Sequence, residues 1–157
     1  MAKQKLDENF VAEEIRKLIE ALGVSATVEV SSQNGIFFID IDSPDSALLI
    51  GKHGVNLESL QFVLAVRIKT LTNLDDFEVF VDVNSWRKQK EERLKQMAHT
   101  LASKVAQSKT NEVLYNLKSS ERRVIHTALT DHPDVVTLSE GEGLQRILVI
   151  SPKNAGS

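Results

Sequence analysis

Residues 48–56 read LLIGKHGVN, and the reading of this stretch decides the fold. Three apolar residues precede a Gly-Lys-His-Gly tetrapeptide, and a small apolar residue and an asparagine follow it. Apolar flanks say that both sides are packed, whereas a bare solvent turn is content with one glycine and polar neighbours. Gly51 and Gly54, three apart, let backbone N–H groups point outward with no Cβ in the way, which is how a chain comes close to a phosphate.

The sequence on either side is periodic. Upstream, Leu6, Phe10, Ile15, Leu18, Ile19 and Leu22 recur at helical spacing, with Gly23 where a C-terminal cap belongs. Ala26 to Val30 alternates, Ser-Gln-Asn-Gly at 32–35 is a turn signal, and Ile36 to Ile41 is a second apolar run. Together they predict two strands joined by an Asn-Gly turn. Asp42, Ser43, Pro44 and Asp45 end the second strand and open a short helix, SALLI. Downstream, Leu57, Leu60, Phe62, Val63, Leu64, Val66, Ile68 and Leu71 predict a longer, well-buried helix. Residues 72–76 then make a loop, and Phe77 to Val83 a strand with Val79 and Val81 on one face. The order is α-β-β-α-GxxG-α-β.

A glycine pair between two helices that pack on a sheet, in this order, resembles the KH domain in its type II arrangement, which has an extra helix and strand at the N-terminus. The resemblance implies a three-stranded sheet with helices on one face. It also implies that Gly51, Lys52, His53 and Gly54 clamp the sugar-phosphate backbone of single-stranded RNA or DNA, with the bases in an adjacent apolar groove. The chemistry fits that role. The N-terminus of the following helix offers unpaired N–H groups and a partial positive charge, Lys52 adds a full one, and His53 a donor or a proton-dependent charge.

Charge divides the chain. Over 157 residues the net charge is −3, with 19 Lys plus Arg against 22 Asp plus Glu. Residues 1–84 hold 7 Lys plus Arg against 14 Asp plus Glu, or −7; residues 85–157 hold 12 against 8, or +4. A sign change of this size predicts a domain boundary, with residues 1–84 and 85–157 as the two domains, and places the long-range attraction for an anion in the second. That half opens WRKQKEERLK. Arg87 and Lys88 lead five basic residues in ten and are candidate nucleic-acid contacts, Glu91 and Glu92 are placed to pair with Lys88 and Lys95, and Asn84 or Ser85 is a candidate cap. Leu94, Met97, Ala98, Leu101, Ala102 and Val105 form the apolar stripe of a helix of about twenty residues. Glu112 to Leu117 reads as a short helix, and SSERRVIHTAL as another, capped at Ser119 or Ser120. In that helix Arg122 and His126 lie four apart on one face, while Val124, Ile125, Ala128 and Leu129 turn inward. Two strands follow, Val135 to Leu138 and Gln145 to Ile150, joined through Ser-Glu-Gly-Glu-Gly.

Helix, then helix with Arg-x-x-x-His, then this hairpin is similar to the R-three-H domain, a small α+β module that binds single-stranded nucleic acid. The resemblance gives that role to Arg122 and His126, with Arg123 and Arg146 as basic neighbours. A guanidinium grips phosphate through two N–H groups or stacks on a base, and an imidazole one turn on donates to the next phosphate. The fold class expected is therefore α+β, a type II KH domain followed by an R-three-H domain. This pairing resembles the Jag family of bacterial RNA-binding proteins over nearly the whole chain. The family resemblance implies a cytoplasmic RNA-binding protein, proposed as an RNA chaperone and linked to cell elongation and envelope assembly. Its expected partners are single-stranded RNA, single-stranded DNA as the alternative, and a small separate KH protein or a second copy of the chain. Many members carry a further N-terminal domain, and a start of the first KH helix near residue 6 reads as the short form.

Other classes are excluded on composition and spacing. There is no cysteine for a disulfide framework or thiolate metal site, and no apolar run approaches the roughly 20 residues of a membrane span. His53, His99, His126 and His132 lack the His-Glu-x-x-His spacing, and no Walker loop, nucleophile elbow or dinucleotide fingerprint appears. No enzyme, cofactor or metal is expected. The rival reading is a protein-interaction module, in which the acidic half docks a protein and only the basic half touches nucleic acid; an aromatic content of 5% offers few base-stacking platforms.

Overall fold

The computed structural model describes residues 5–154. The chain divides into two compact units, Met1–Arg87 and Lys88–Ser157.

In the first unit, α1 (Glu8–Ala21) starts at Asp7, whose Oδ1 accepts from the Phe10 amide at 3.0 Å and satisfies one of the first-turn donors. β1 (Thr27–Gln33) pairs antiparallel with β2 (Ile36–Asp42). Asn34 and Gly35 between them both have positive φ, 52° and 80°, as a two-residue hairpin turn of the primed type requires. α2 (Ser46–Ile50), the GKHG loop and α3 (Val55–Thr72) follow, and β3 (Glu78–Val83) returns parallel to β2, giving the order β1-β2-β3. Alternation along the strands turns Val28, Ile39, Ile41, Val79, Val81 and Val83 to one face, where they pack with Val11 and Ile15 of α1 and Leu57, Leu64 and Ile68 of α3. Phe38 and Phe80, register partners, stand on the opposite face with ring centroids 6.3 Å apart. This is the KH-like arrangement.

The long helix is less buried than its composition suggests. Leu57, Leu60, Leu64 and Ile68 form the stripe that meets the sheet, whereas Phe62 is 69% exposed and Val63, Val66 and Leu71 are close to half exposed. One sheet covers one stripe of a helix, and eight apolar positions over fifteen residues overfill that stripe. Beside α3 lies a buried carboxylate: Glu14 of α1 pairs with Arg67 of α3 and, at 2.7 Å, with Lys17. Burial alone raises its pKa, but hydrogen bonds and attraction from Lys17 and Arg67 prevail and hold it below the ordinary 4.5.

In the second unit, the core joins Ala98, Ala102 and Val105 of α4 (Trp86–Ser108) to Ile125 and Leu129 of α5 (Ser119–Leu129) and to Leu148 and Ile150 of the sheet. The sheet is antiparallel in the order β4 (Glu112–Leu114), β6 (Ile147–Pro152), β5 (Val135–Glu140). Its first strand corrects the expectation of a helix at Glu112 to Leu117. Residues Glu112–Leu114 are strand β4, Val113 opposite Val149 of β6 (Ile147–Pro152), and Asn116 at φ 57° ends the extended run. The ladder with β6 supplies backbone partners that six residues of isolated helix would have lacked. The cap of α5 also moves. Lys118 is the N-cap residue, its amide donating to Glu121 Oε2 at 2.8 Å, and Ser119 and Ser120 lie in the first turn. The hairpin is longer on its first side, β5 running Val135–Glu140, and Gln145 belongs to the turn rather than to β6.

Candidate nucleic-acid interface

The GKHG loop is held by residues that sequence reasoning did not single out. Gly51 has φ 69°, and a Cβ there would stand 2.5 Å from Cγ of Asn56, whose Nδ2 reaches back to the Leu48 carbonyl at 2.8 Å. The asparagine that closes LLIGKHGVN therefore ties α3 to α2 under the loop. Gly54 has φ 82° and is buried; a Cβ there would meet Cη2 of Trp86 at 2.3 Å. The two glycines thus do more than open the loop to a phosphate. Each makes room for a side chain of the protein itself, a contact that spans 32 positions for Gly54 and Trp86 and has no local signal. What faces outward is the middle of the loop. Lys52 and His53 are exposed, His53 in the left-handed region at φ 55°, and their amides donate to no protein acceptor among the described residues. These amides and the N-terminus of α3 leave a small cationic ledge with open donors.

Arg87 is not free for a ligand in this arrangement. Its Nε donates to the Val81 carbonyl at 3.0 Å, a terminal nitrogen to Oε1 of Gln61 at 3.2 Å, and its guanidinium lies 4.8 Å from the Phe80 ring centroid. Gln61 Oε1 also accepts from the Val81 amide at 2.9 Å, so the outward-facing peptide groups of Val81 on edge strand β3 are both satisfied by side chains. Lys88 is exposed and forms no ion pair among the described residues, while Lys95 pairs with Glu91 at 2.7 Å.

On α5, Arg122 and His126 do lie one turn apart. Arg122 is half-buried and donates to the Leu117 carbonyl at 2.6 Å. His126 is exposed, with Nδ1 at 2.5 Å from Oγ1 of Thr137 on β5, which orients the ring and leaves Nε2 outward. Glu121, the one carboxylate in ERRVIH, is drawn elsewhere: it takes Lys90 at 2.6 Å and the Lys118 amide. Its burial raises the carboxyl pKa, but these two partners more than offset that and lower it. Neither Arg122 nor Arg123 forms an ion pair among the described residues. Arg123 does not join the Arg122–His126 face; it lines, with Lys95, His99 and Ser119, a separate groove of about 760 Å³ between α4 and α5. Arg146 is exposed just before β6, its amide closing the turn onto the Gly143 carbonyl at 3.3 Å.

Among the described residues no group of three His, Asp or Glu side chains is placed to hold a metal ion, and no helix is long and apolar enough to cross a membrane.

An α+β chain with a KH-like unit followed by an Arg-x-x-x-His helix and hairpin defines the class, and comparison with known proteins agrees. Residues 92–152 match the R-three-H domain family. The chain is 32% identical over 141 residues to RNA-binding protein KhpB of Bacillus subtilis, covering 88% of this chain and 67% of the relative. It is 32% identical over 132 residues to the protein of that name from Clostridium symbiosum (84% and 59%), and 29% identical over 153 residues to that of Lactiplantibacillus plantarum (96% and 47%). The chain belongs to the KhpB, or Jag, family. It spans between about half and two thirds of the length of these curated relatives.

Proposed function

We propose that this chain binds single-stranded RNA through two grips, the GKHG loop of the first unit and the Arg122–His126 face of the second, with Arg146 as a basic neighbour. The observation that carries the reading is that Arg122 forms no ion pair among the described residues, Glu121 being bound to Lys90 and the Lys118 amide, and stands one helical turn from the exposed imidazole of His126. Phosphate contacts supply most of the affinity in such interfaces, so uncompensated cations at fixed spacing are what a backbone binder needs. The relatives' name, RNA-binding protein, supports RNA over DNA. Roles as an RNA chaperone in the cytoplasm, and in cell elongation and envelope assembly, rest on the family resemblance alone.

Ultraviolet crosslinking of the chain to total cellular RNA, followed by peptide mapping, tests the reading. Crosslinks at 51–54 and at 122–146 are expected; their absence from both regions overturns it. A second reading, that the acidic unit docks a protein such as a small KH protein or a second copy, is favoured by the exposed Phe62, Val63 and Val66 on α3. Crosslinks confined to the second unit would select it.

A further inference from the structure

We propose that the groove between α4 and α5 is a second phosphate site of the second unit, holding a backbone phosphate of single-stranded RNA on the flank of α5 next to the Arg122–His126 face. The proposal rests on the RNA-binding reading and adds to it a site built from two helices and from residues outside the Arg-x-x-x-His pair.

Two rows of side chains, one residue per helical turn, line the groove. Glu91, Lys95 and His99 stand on α4, and Ser119, Arg123 and Thr127 on α5, with half-buried Val124 and Ala128 as the apolar part of the lining. The two helices are held together: Ala98 and Ile125 belong to one core, and Lys90 of α4 pairs with Glu121 of α5 at 2.6 Å. The lining offers donors without acceptors. The Arg123 guanidinium is exposed and has no ion pair or hydrogen bond among the described residues, and the His99 ring and the Ser119 and Thr127 hydroxyls have no partner among them either. Thr127 departs from the habit of this chain, in which the helical hydroxyls of Ser59, Thr70, Thr100, Ser103 and Thr130 each donate to the carbonyl four residues back. The carboxylate of the lining, Glu91, is bound to Lys95 at 2.7 Å, which leaves Arg123 as the charge without a counter-ion. A guanidinium, an imidazole and hydroxyls that converge from two helices suit a phosphate, whose oxygens accept in several directions. At about 760 Å³ the groove has room for a nucleotide rather than a lone ion. Placement favours a strand. Arg123 and Thr127 follow Arg122 and His126 by one residue each, a rotation of about 100° round the helix, so a strand that leaves the Arg122–His126 face around α5 meets the groove next.

The test is fluorescence anisotropy on a short labelled oligouridylate, titrated with salt, for the full chain and its Arg123→Ala, Thr127→Val, Thr127→Ser and Arg93→Ala variants. Arg93 is exposed on α4, has no ion pair among the described residues and lies outside the groove, so it reports diffuse attraction alone. Arg123→Ala should lose roughly tenfold in affinity at low salt and about 0.7 in the slope of log affinity against log salt. Arg93→Ala should lose far less of either. Thr127→Val keeps the shape and removes a neutral hydroxyl, so a loss of about threefold with the slope unchanged is expected, and Thr127→Ser should bind like the parent. Parental affinity in both Arg123→Ala and Thr127→Val, or equal losses for Arg123→Ala and Arg93→Ala, overturns the site and leaves the RNA-binding reading standing. Calorimetric titration with uridine monophosphate separates the strand from a free nucleotide. Binding by the parent that Arg123→Ala abolishes, with RNA affinity unchanged, would assign the groove to a free phosphate ester and overturn the proposal. Absence of RNA binding by the parent chain overturns both readings. Every changed side chain is exposed, so thermal unfolding of the variants should match the parent; a loss of affinity that tracks a lowered transition would be structural and overturns the site.

Discussion

Glu14 shows how much one residue can hold. It is a carboxylate only 3% exposed, joined to Arg67 of α3 and Lys17 of its own helix, and it links two helices that lie 53 positions apart at their point of contact. A buried charge is costly without partners, so Arg67→Leu should destabilise the first unit by about 1–3 kcal/mol, measured by urea unfolding. The pH dependence follows from the sign of the shift. Because the folded carboxyl titrates below its ordinary 4.5, its contribution is fully present above that value and is lost as pH falls through the lower, folded one. The gap in stability between parent and Arg67→Leu should therefore be constant near neutrality and shrink below about pH 4.5. A gap that widens on acidification would contradict the assignment. The side chains of Asn56, Gln61 and Trp86 act at the same scale. Each satisfies or covers a backbone feature, at Leu48, Val81 and Gly54 respectively.

At the scale of elements, the two grips differ in kind. The GKHG loop offers open amides and a helix N-terminus within residues 1–84, of charge −7, whereas α5 presents side-chain cations within residues 85–157, of charge +4. For a single strand, removing one phosphate contact lowers the salt slope of log affinity by roughly 0.7. Arg122→Ala with His126→Ala should therefore cost more affinity at low salt, and more slope, than Lys52→Asp with His53→Asp. All four side chains lie outside the buried cores, so melting should hold in both variants. A salt titration of single-stranded RNA binding decides it: a larger fall in slope for the loop variant would mean that local geometry at GKHG outweighs the charge of the half that carries it. Strand β4 makes a related point about elements. Its three residues have no helical or strand pattern strong enough to classify alone, and the ladder to Leu148–Ile150 decides their state.

For the whole molecule, the position of the division matters. The sign change in charge points to residue 84, but Trp86 packs on Gly54, and Arg87 binds the Val81 carbonyl and covers Phe80. We propose two independently folding domains and predict that a fragment ending at Arg87 melts cooperatively and well above one ending at Asn84, because the shorter fragment loses the indole from its core and the guanidinium from its edge strand. Circular dichroism melts of both fragments and of 88–157 check this. Equal melting of the two N-terminal fragments would show that Trp86 and Arg87 contribute nothing to the first unit.

The sequence by itself determined the class of this protein. The hairpin at Asn34-Gly35, the short helix before GKHG, the alternation of β3 and the Arg-x-x-x-His helix are all set by chemistry within a few residues, by periodicity, turn-forming φ and caps. Only the tertiary structure decided which apolar residues of α3 meet the sheet, that Glu112–Leu114 is a strand, that Trp86 lies on Gly54, and that Glu121 pairs with Lys90 rather than with an arginine beside it. The last three join positions 31 to 38 apart, and the first is a choice among apolar positions of equal local merit. Such choices are made by the packing of whole elements, which no window of neighbouring residues contains.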